Sequence, residues 1–184
     1  MTALRPGWAA QLHHHWFHAL RPADWFGRSD GVDAELRRRF ARPHAMLRGQ
    51  APDRFLDGPR ETLAAVLLFD QVPRNIHRDS GEAFATDPLA RALTRAALRR
   101  GWDRPLTSAE RQFLYMPLMH SEDIHDQRLS LALFRRLPCR QGWDFARAHH
   151  RMIARFGRFP HRNAVLGRES TAAEARAVEE GNAW

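Results

Sequence analysis

The chain has 184 residues, of which 43% are hydrophobic and 27% charged, and its formal net charge is +8. This length and composition suit one globular domain with a sizeable core, and no apolar run reaches the roughly 18 residues of a membrane span. All 29 basic residues are arginine and they are spread along the chain. That distribution indicates a compositional bias more than a nucleic-acid surface, so we expect no specific nucleic-acid binding.

The number of cysteines and the N-terminal sequence indicate where in the cell the protein is located. Cys139 is the only cysteine, so no internal disulfide can form, as is common in a reducing environment. The segment Met1–Trp8 lacks the apolar stretch of a signal peptide. We therefore expect a cytoplasmic protein that does not contact a membrane, and the oligomeric state stays open.

The N-terminal part predicts two helical regions. Residues 7–20 form a first helix, and residues 31–49 form either one helix broken near Pro43 or two short ones. His14 and His18 have a spacing that suits a metal on a helix, but no carboxylate or cysteine accompanies them. We therefore expect no metal site.

Residues 59–71 give the strongest helical pattern. Apolar residues occupy nearly every face, which predicts a central helix buried on most sides. We expect Pro73 to end this helix. Farther along, Thr86 or Asp87 caps the next helix, with Pro88 in its first turn.

The C-terminal half continues the succession of helices. Thr107–Glu110 is a capping-box pattern, and the helix that it starts should kink or restart around Pro117. Ser121 is a good N-cap for another helix, and a further helix over 142–156 should end at Gly157. No segment has the alternation of a strand. The sequence therefore predicts an all-α domain over residues 1–184, an antiparallel helix array whose two-helix units suggest a superhelical stack.

Three polar stretches follow apolar helical segments. They comprise Asp70, Gln71, Arg74 and Asn75; His120, Ser121, Glu122 and Asp123; and Arg158, His161, Arg162 and Asn163. Buried charges are least costly when they are paired. We therefore expect the stretches to converge, with an arginine of the third contacting a carboxylate of the first or second.

These side chains allow three interpretations. An arginine fork matches a carboxylate or phosphate, so the cleft could bind an anionic small molecule or an acidic peptide. The binding residues would then be Asp70, Gln71, Arg74, Asn75, Arg158, Arg162 and Asn163. Alternatively, His120 or His161 acts as a general acid or base, supported by Glu122 or Asp123. Finally, the whole network could be structural, joining helix ends.

Motifs for the common cofactors and nucleophiles are missing from the sequence. It contains no phosphate-binding loop, no nucleophile elbow and no zinc-protease motif, so we expect neither a cofactor nor a metal.

Four motifs in order resemble those of a known family. They are Leu68–Ile76, Ala83–Asp87, Phe113–Asp123 and Arg155–Asn163, the last with Leu166–Arg168. They resemble the bacterial domain-of-unknown-function family 924, and the likeness covers residues 60–175. It is weaker in the N-terminal helices (1–55) than in the core that carries the polar motifs (56–184). The resemblance implies an all-helical fold like that of tetratricopeptide repeats, and it implies no activity.

Overall fold

The computed structural model describes residues 7–181, in which every regular element is a helix and no strand occurs. The predicted all-α class is therefore confirmed. Residues 1–6, most of the segment on which the absence of a signal peptide was judged, lie outside the described residues, as do residues 182–184. The α-helices are α1 (Trp8–His14), α2 (Asp30–Leu47), α3 (Pro59–Val66), α4 (Val72–Ile76), α5 (Asp87–Arg99), α6 (Ser108–Met119), α7 (Ile124–Phe134), α8 (Arg140–Phe156) and α9 (Ala172–Glu179).

The helices fall short of a transmembrane segment in length or in apolar character. Within residues 7–181 none could cross a lipid bilayer.

The predicted central helix is the most buried element. Every residue from Leu63 to Phe69 is completely buried. α3 packs against α1, α5 and α6, which cover its different sides. The main apolar core runs from Leu12 in α1 to Ala146 in α8, so the N-terminal helices share it with α3 to α8. A second, smaller cluster of Met152, Ile153, Phe159 and Ala177 lies under the C-terminal segment.

Neither a break at Pro43 nor a restart at Pro117 occurs, although the sequence allowed both. α2 is one continuous helix through Pro43, and α6 continues through Pro117 without restarting. A proline inside a helix removes one backbone hydrogen bond. In α2 the buried stripe that includes Leu36 and Phe40 continues on both sides of the proline. Packing of these helix faces therefore outweighs the local loss.

The expected end of the central helix at Pro73 is also wrong. α3 continues through a π-helical turn, Leu67–Gln71, directly into α4, where Pro73 occupies the first turn. Pro73 has no N–H to donate to the carbonyl of Phe69, four residues earlier. The Thr86 hydroxyl donates to that carbonyl instead, at 2.6 Å. A side chain from the next helix start therefore supplies a donor for the carbonyl that the proline leaves without one.

The C-terminal segment folds back over the ends of α6 and α8. Gly157 ends α8 with a φ of 71°, as its predicted role as a cap requires. The loop 157–171 then lies so close to Gly81 that an added Cβ would be 2.9 Å from the carbonyl oxygen of Val165. This approach brings the third polar stretch beside the loop between α4 and α5.

Candidate functional site

A cavity of about 520 Å³ lies between α4, α6, α8 and the loop that follows α8. Its volume lies within the roughly 300–1,000 Å³ typical of small-molecule sites. Its lining includes Gln71, Arg74, Asn75 and Arg78; Met116, Met119 and His120; Phe145 and His149; His161 and Arg162; and Trp25, Phe26 and Phe84. All three polar stretches contribute to this lining, so their predicted convergence is confirmed.

Asp70 is the most buried charged group at the site, with no exposed surface. Its Oδ1 lies 2.8 Å from Nδ1 of His120 and 3.3 Å from Nη1 of Arg74. Its Oδ2 accepts a hydrogen bond from the Gln71 side chain. Burial alone would raise the pKa of the Asp70 carboxyl, but Arg74 and His120 hold it well below its usual range. Asp70 is therefore an ionised carboxylate with hydrogen-bond partners on both oxygens.

His120 is positioned as a neutral imidazole. It caps the C-terminus of α6 and is buried against Asp70. Because an ionised carboxylate can only accept, Nδ1 of His120 carries the proton and Nε2 is left as the basic nitrogen. Burial lowers the pKa of His120, and the Arg74 charge adds to this although Asp70 opposes it. The pair therefore has the arrangement that orients a general base.

Arg74 is matched by two carboxylates. Its guanidinium donates two parallel hydrogen bonds to Asp87, each 2.9 Å, besides its contact with Asp70. Such a bidentate pair is among the stronger interactions between side chains. Of the two predicted caps of α5, Thr86 occupies the N-cap position, and the role of Asp87 as a partner of Arg74 was not predicted.

Arg162 is less well compensated than Arg74. It is 6% exposed, and its nearest carboxylate oxygen is 3.6 Å away, on Asp87, which already accepts both bonds from Arg74. The Nε of Arg162 is buried without a hydrogen-bond partner. The guanidinium lies over the rings of Phe84 and Phe159, at 4.5 and 4.4 Å from their centroids. Burial, and then the Arg74 charge, lower the pKa of Arg162 to about 10.

Two further histidines line the cavity. His149 Nδ1 donates to the carbonyl of Phe145 at 2.9 Å, and its ring centroid is 6.1 Å from that of His120. Burial, followed by the effect of His120, lowers the pKa of His149 to about 3. Burial and the charge of Arg162 lower the pKa of His161 to about 4. Both rings are therefore neutral near neutral pH.

Two amide side chains complete the first polar stretch at the cavity. Asn75 donates to the backbone carbonyl of Gln71 at 3.0 Å and accepts from Arg78 at 3.0 Å. Arg78 in turn pairs with Asp33 of α2, with Nη2 and Oδ1 2.8 Å apart. Gln71 and Asn75 therefore reach the cavity, as predicted, while anchoring α4.

The carboxylates expected to support His120 have other partners. Glu122 accepts two hydrogen bonds from Arg168, at 2.8 and 3.0 Å, and one from the backbone N–H of Phe159. Asp123 is exposed and caps α7, accepting from the N–H of His125 at 2.7 Å. The predicted cap was Ser121, whose hydroxyl instead accepts from the N–H of Asp123. Asp70, which was assigned to binding, is the carboxylate that contacts His120.

Some side chains of the third stretch line the cavity, and the others hold the loop 157–171 in place. Arg158 pairs with Glu174 of α9, and buried Asn163 donates to Ser170 at 3.0 Å. Neither Arg158 nor Arg162 contacts a carboxylate of the other two stretches; Arg168 of the same loop makes the contact, with Glu122. Arg158, Asn163 and Arg168 therefore stabilise the loop, whereas Arg162 and His161 line the cavity.

Sequence reasoning did not assign to the site either His149, which lines the cavity, or Asp87, which pairs with Arg74. His149 was part of the buried stripe of α8, and Asp87 followed Thr86 in a capping pattern. Both patterns have a sufficient local explanation, so they gave no signal of a site.

The described part of the chain offers no obvious metal position. Within residues 7–181, no cluster of three or more histidine, cysteine, aspartate or glutamate side chains has an arrangement that could hold a metal ion.

Comparisons with known proteins agree with the sequence motifs. No curated protein matches the chain. A solved structure from Agrobacterium tumefaciens, the protein of unknown function ATU0120, is 38% identical, with a TM-score of 0.88 over 94% of this chain and 97% of that chain. The model of a family described as bacterial protein of unknown function (DUF924) matches residues 12–182. The chain therefore belongs to the DUF924 family.

Proposed function

We propose that the cavity binds a small anionic molecule, with Arg162 as the main contact for its carboxylate or phosphate. The observation that supports this is the lack of a close acceptor for a buried guanidinium. Asp87 is 3.6 Å from Arg162 and already accepts both bonds from Arg74. A buried cation without good acceptors is costly, and a bound oxyanion would supply them.

The dimensions of the cavity favour a small molecule over the acidic peptide that the sequence also allowed. A volume of about 520 Å³ suits a metabolite-sized ligand. The aromatic faces of Phe84 and Phe159 hold the arginine in place. Such a preorganised donor loses little freedom when an anion binds.

Replacement of Arg162 by glutamine should weaken anion binding by about ten- to a hundredfold. A hydrogen bond to a charged group contributes about 1.5–3 kcal/mol, which corresponds to that range. Isothermal titration calorimetry with inorganic phosphate and with succinate would measure it. Arg140→Gln is the matched control, because the Arg140 side chain is exposed and outside this cavity. Equal affinities of both variants and the unmodified protein would contradict the proposal.

A second candidate function is hydrolysis of an anionic ester, for which the hydrogen bond between Asp70 and His120 is the supporting observation. The basic Nε2 of a neutral, buried imidazole could accept a proton from water as its oxygen attacks the ester. Asp70 would stabilise the imidazolium that forms, and Arg162 would hold the anionic group of the substrate.

His120→Gln should reduce the rate of such hydrolysis by about a hundredfold or more. The probe is p-nitrophenyl hemisuccinate, whose free carboxylate fits the anion site and whose product absorbs visible light. His125→Gln is the control, since His125 is exposed on α7. Hydrolysis no faster than in buffer, or equal rates in the two variants, would exclude a hydrolytic role for His120.

A further inference from the structure

The cavity has two chemically different ends, and α6 lies along both. Gln112, Met116, Met119 and His120 line it from this helix. The last three positions follow Gln112 by four, seven and eight residues, so all four share one face of the helix. Eight residues separate the first from the last, which corresponds to about 12 Å along the axis. The cavity is therefore long enough to bind a ligand lengthwise.

Contacts with α8 identify the polar end. The ring of His149 lies 6.1 Å from that of His120 at the C-terminal end of α6. Asp70, Arg74 and Arg162 cluster at this same end. These buried charged side chains and the two histidines therefore lie around the last turn of α6, whereas the other charged residues of the lining, Arg78 and the exposed pair Arg28–Asp79, lie outside this group.

The other end is aromatic. Near Gln112, the ring of Phe113 stacks on Phe26 at 5.9 Å and with an interplanar angle of 5°, and meets the edge of Trp25 at 5.1 Å. Phe26 is 48% exposed although it is a large apolar side chain. Between the two ends, the lining contains Met116 and Phe145. A methionine thioether adapts its shape readily to an apolar ligand.

We propose that the natural ligand is an amphipathic acid. Its carboxylate or phosphate lies at Arg162, and its aliphatic or aromatic tail passes Met116 and Phe145 towards Trp25 and Phe26. This inference rests on the proposed anion site and adds the second half of the ligand. Burial of the tail would cover the exposed face of Phe26, and such apolar burial is the main source of affinity for a ligand of this kind.

Binding should strengthen with the length of the tail. The probes are butanoate, hexanoate, octanoate and decanoate, with octyl phosphate to compare the two head groups and octylamine as a cationic counterpart. Each buried CH₂ should tighten binding about three- to fourfold until the tail exceeds the cavity. Octanoate has four more CH₂ groups than butanoate, so it should bind about 80- to 250-fold tighter if its whole tail is buried, and octylamine should not compete with it. Calorimetry supplies the dissociation constants.

Phe26→Ala should weaken octanoate binding more than butanoate binding, and so reduce the advantage of octanoate. Met116→Gln, which changes the middle of the cavity, should have the same differential effect. Phe26 is half exposed, so we expect its replacement to leave the protein folded. Circular dichroism would verify the helical content of both variants. Met46→Gln is the control, because Met46 is also an exposed apolar residue but lies outside the cavity.

The two proposals fail in different ways. If the acids bind through Arg162 but with one affinity at every chain length, the amphipathic ligand is excluded and the anion site remains. If neither the acids nor inorganic phosphate bind, both proposals are overturned. If octylamine binds as well as octanoate, the site recognises only the tail, and the assignment of the head group to Arg162 is wrong.

Discussion

Acidification from about pH 7 to about pH 4 should lower the free energy of unfolding by several kcal/mol, mainly through buried histidines. Burial, and then the neighbouring His77, lower the pKa of His44 to about 4. Burial and His120 lower the pKa of His149 to about 3. In the unfolded chain both imidazoles have a pKa of about 6.5. The folded protein therefore binds these protons only at a much lower pH.

The sign of the effect follows from this difference. Above about pH 6.5 both states are neutral at these positions, so the histidines cause no pH dependence. As the pH falls below that value, the unfolded chain binds more protons than the folded one, and stability decreases. The loss grows until the pH passes the folded pKa of each group, and each unit of difference corresponds to about 1.4 kcal/mol.

Urea unfolding at a series of pH values would measure this loss. The double variant His44→Gln/His149→Gln should have a flatter profile between about pH 6.5 and 4.5, a window above the usual titration of carboxylates. His125→Gln is again the exposed control and should keep the slope of the unmodified protein. Identical slopes in all three proteins would show that the two buried histidines do not cause the acid sensitivity.

Removal of the Asp70 carboxylate should cost about 3–5 kcal/mol of stability. Asp70→Ala leaves the Nδ1–H of His120 and the amide of Gln71 without their acceptor, at a position where the carboxylate itself has no solvent exposure. Arg74 keeps Asp87 but loses its second carboxylate. The cost of unpaired buried donors, added to the loss of the charge pair, makes this a large effect.

Asp123→Ala is a suitable comparison for this measurement. Asp123 is exposed and serves only to cap α7, so its removal should cost about 1 kcal/mol. Asp70→Asn keeps the shape of the side chain and extends the test if the alanine variant does not fold. Urea unfolding that finds Asp70→Ala no less stable than Asp123→Ala would contradict the role given to the buried carboxylate.

Local signals in the sequence were sufficient for the fold class and for the central helix. Caps and apolar periodicity depend on neighbours a few residues apart, so the sequence predicts them directly. The capping box at Thr107–Glu110 and the C-terminal glycine of α8 are examples. The continuity of α3 into α4 could not be predicted in this way, because the Thr86 hydroxyl that replaces the proline's missing bond comes from another helix start.

The meeting of the three polar stretches was predicted from the sequence, but the pairs that their side chains form were not. His120 and Asp70 are 50 residues apart, and only the packing of α6 against the end of α3 decides that they meet. Glu122, which is closer to His120 in sequence, faces Arg168 instead. Residue types and helix ends indicate where charge gathers, whereas the choice of partner depends on tertiary geometry.

The π-helical turn Leu67–Gln71 has a consequence for the direction in which α4 faces. A π turn holds about one residue more than an α-helical turn, and one residue corresponds to a rotation of about 100°. Every side chain after Gln71 is therefore turned by that angle relative to an uninterrupted helix. In a regular helix, Arg74 and Asn75 would continue the surfaces that α3 presents to its neighbours. The added residue changes the direction in which the following side chains point. The continuous helix can therefore be apolar on all sides in α3 and polar towards the cavity in α4.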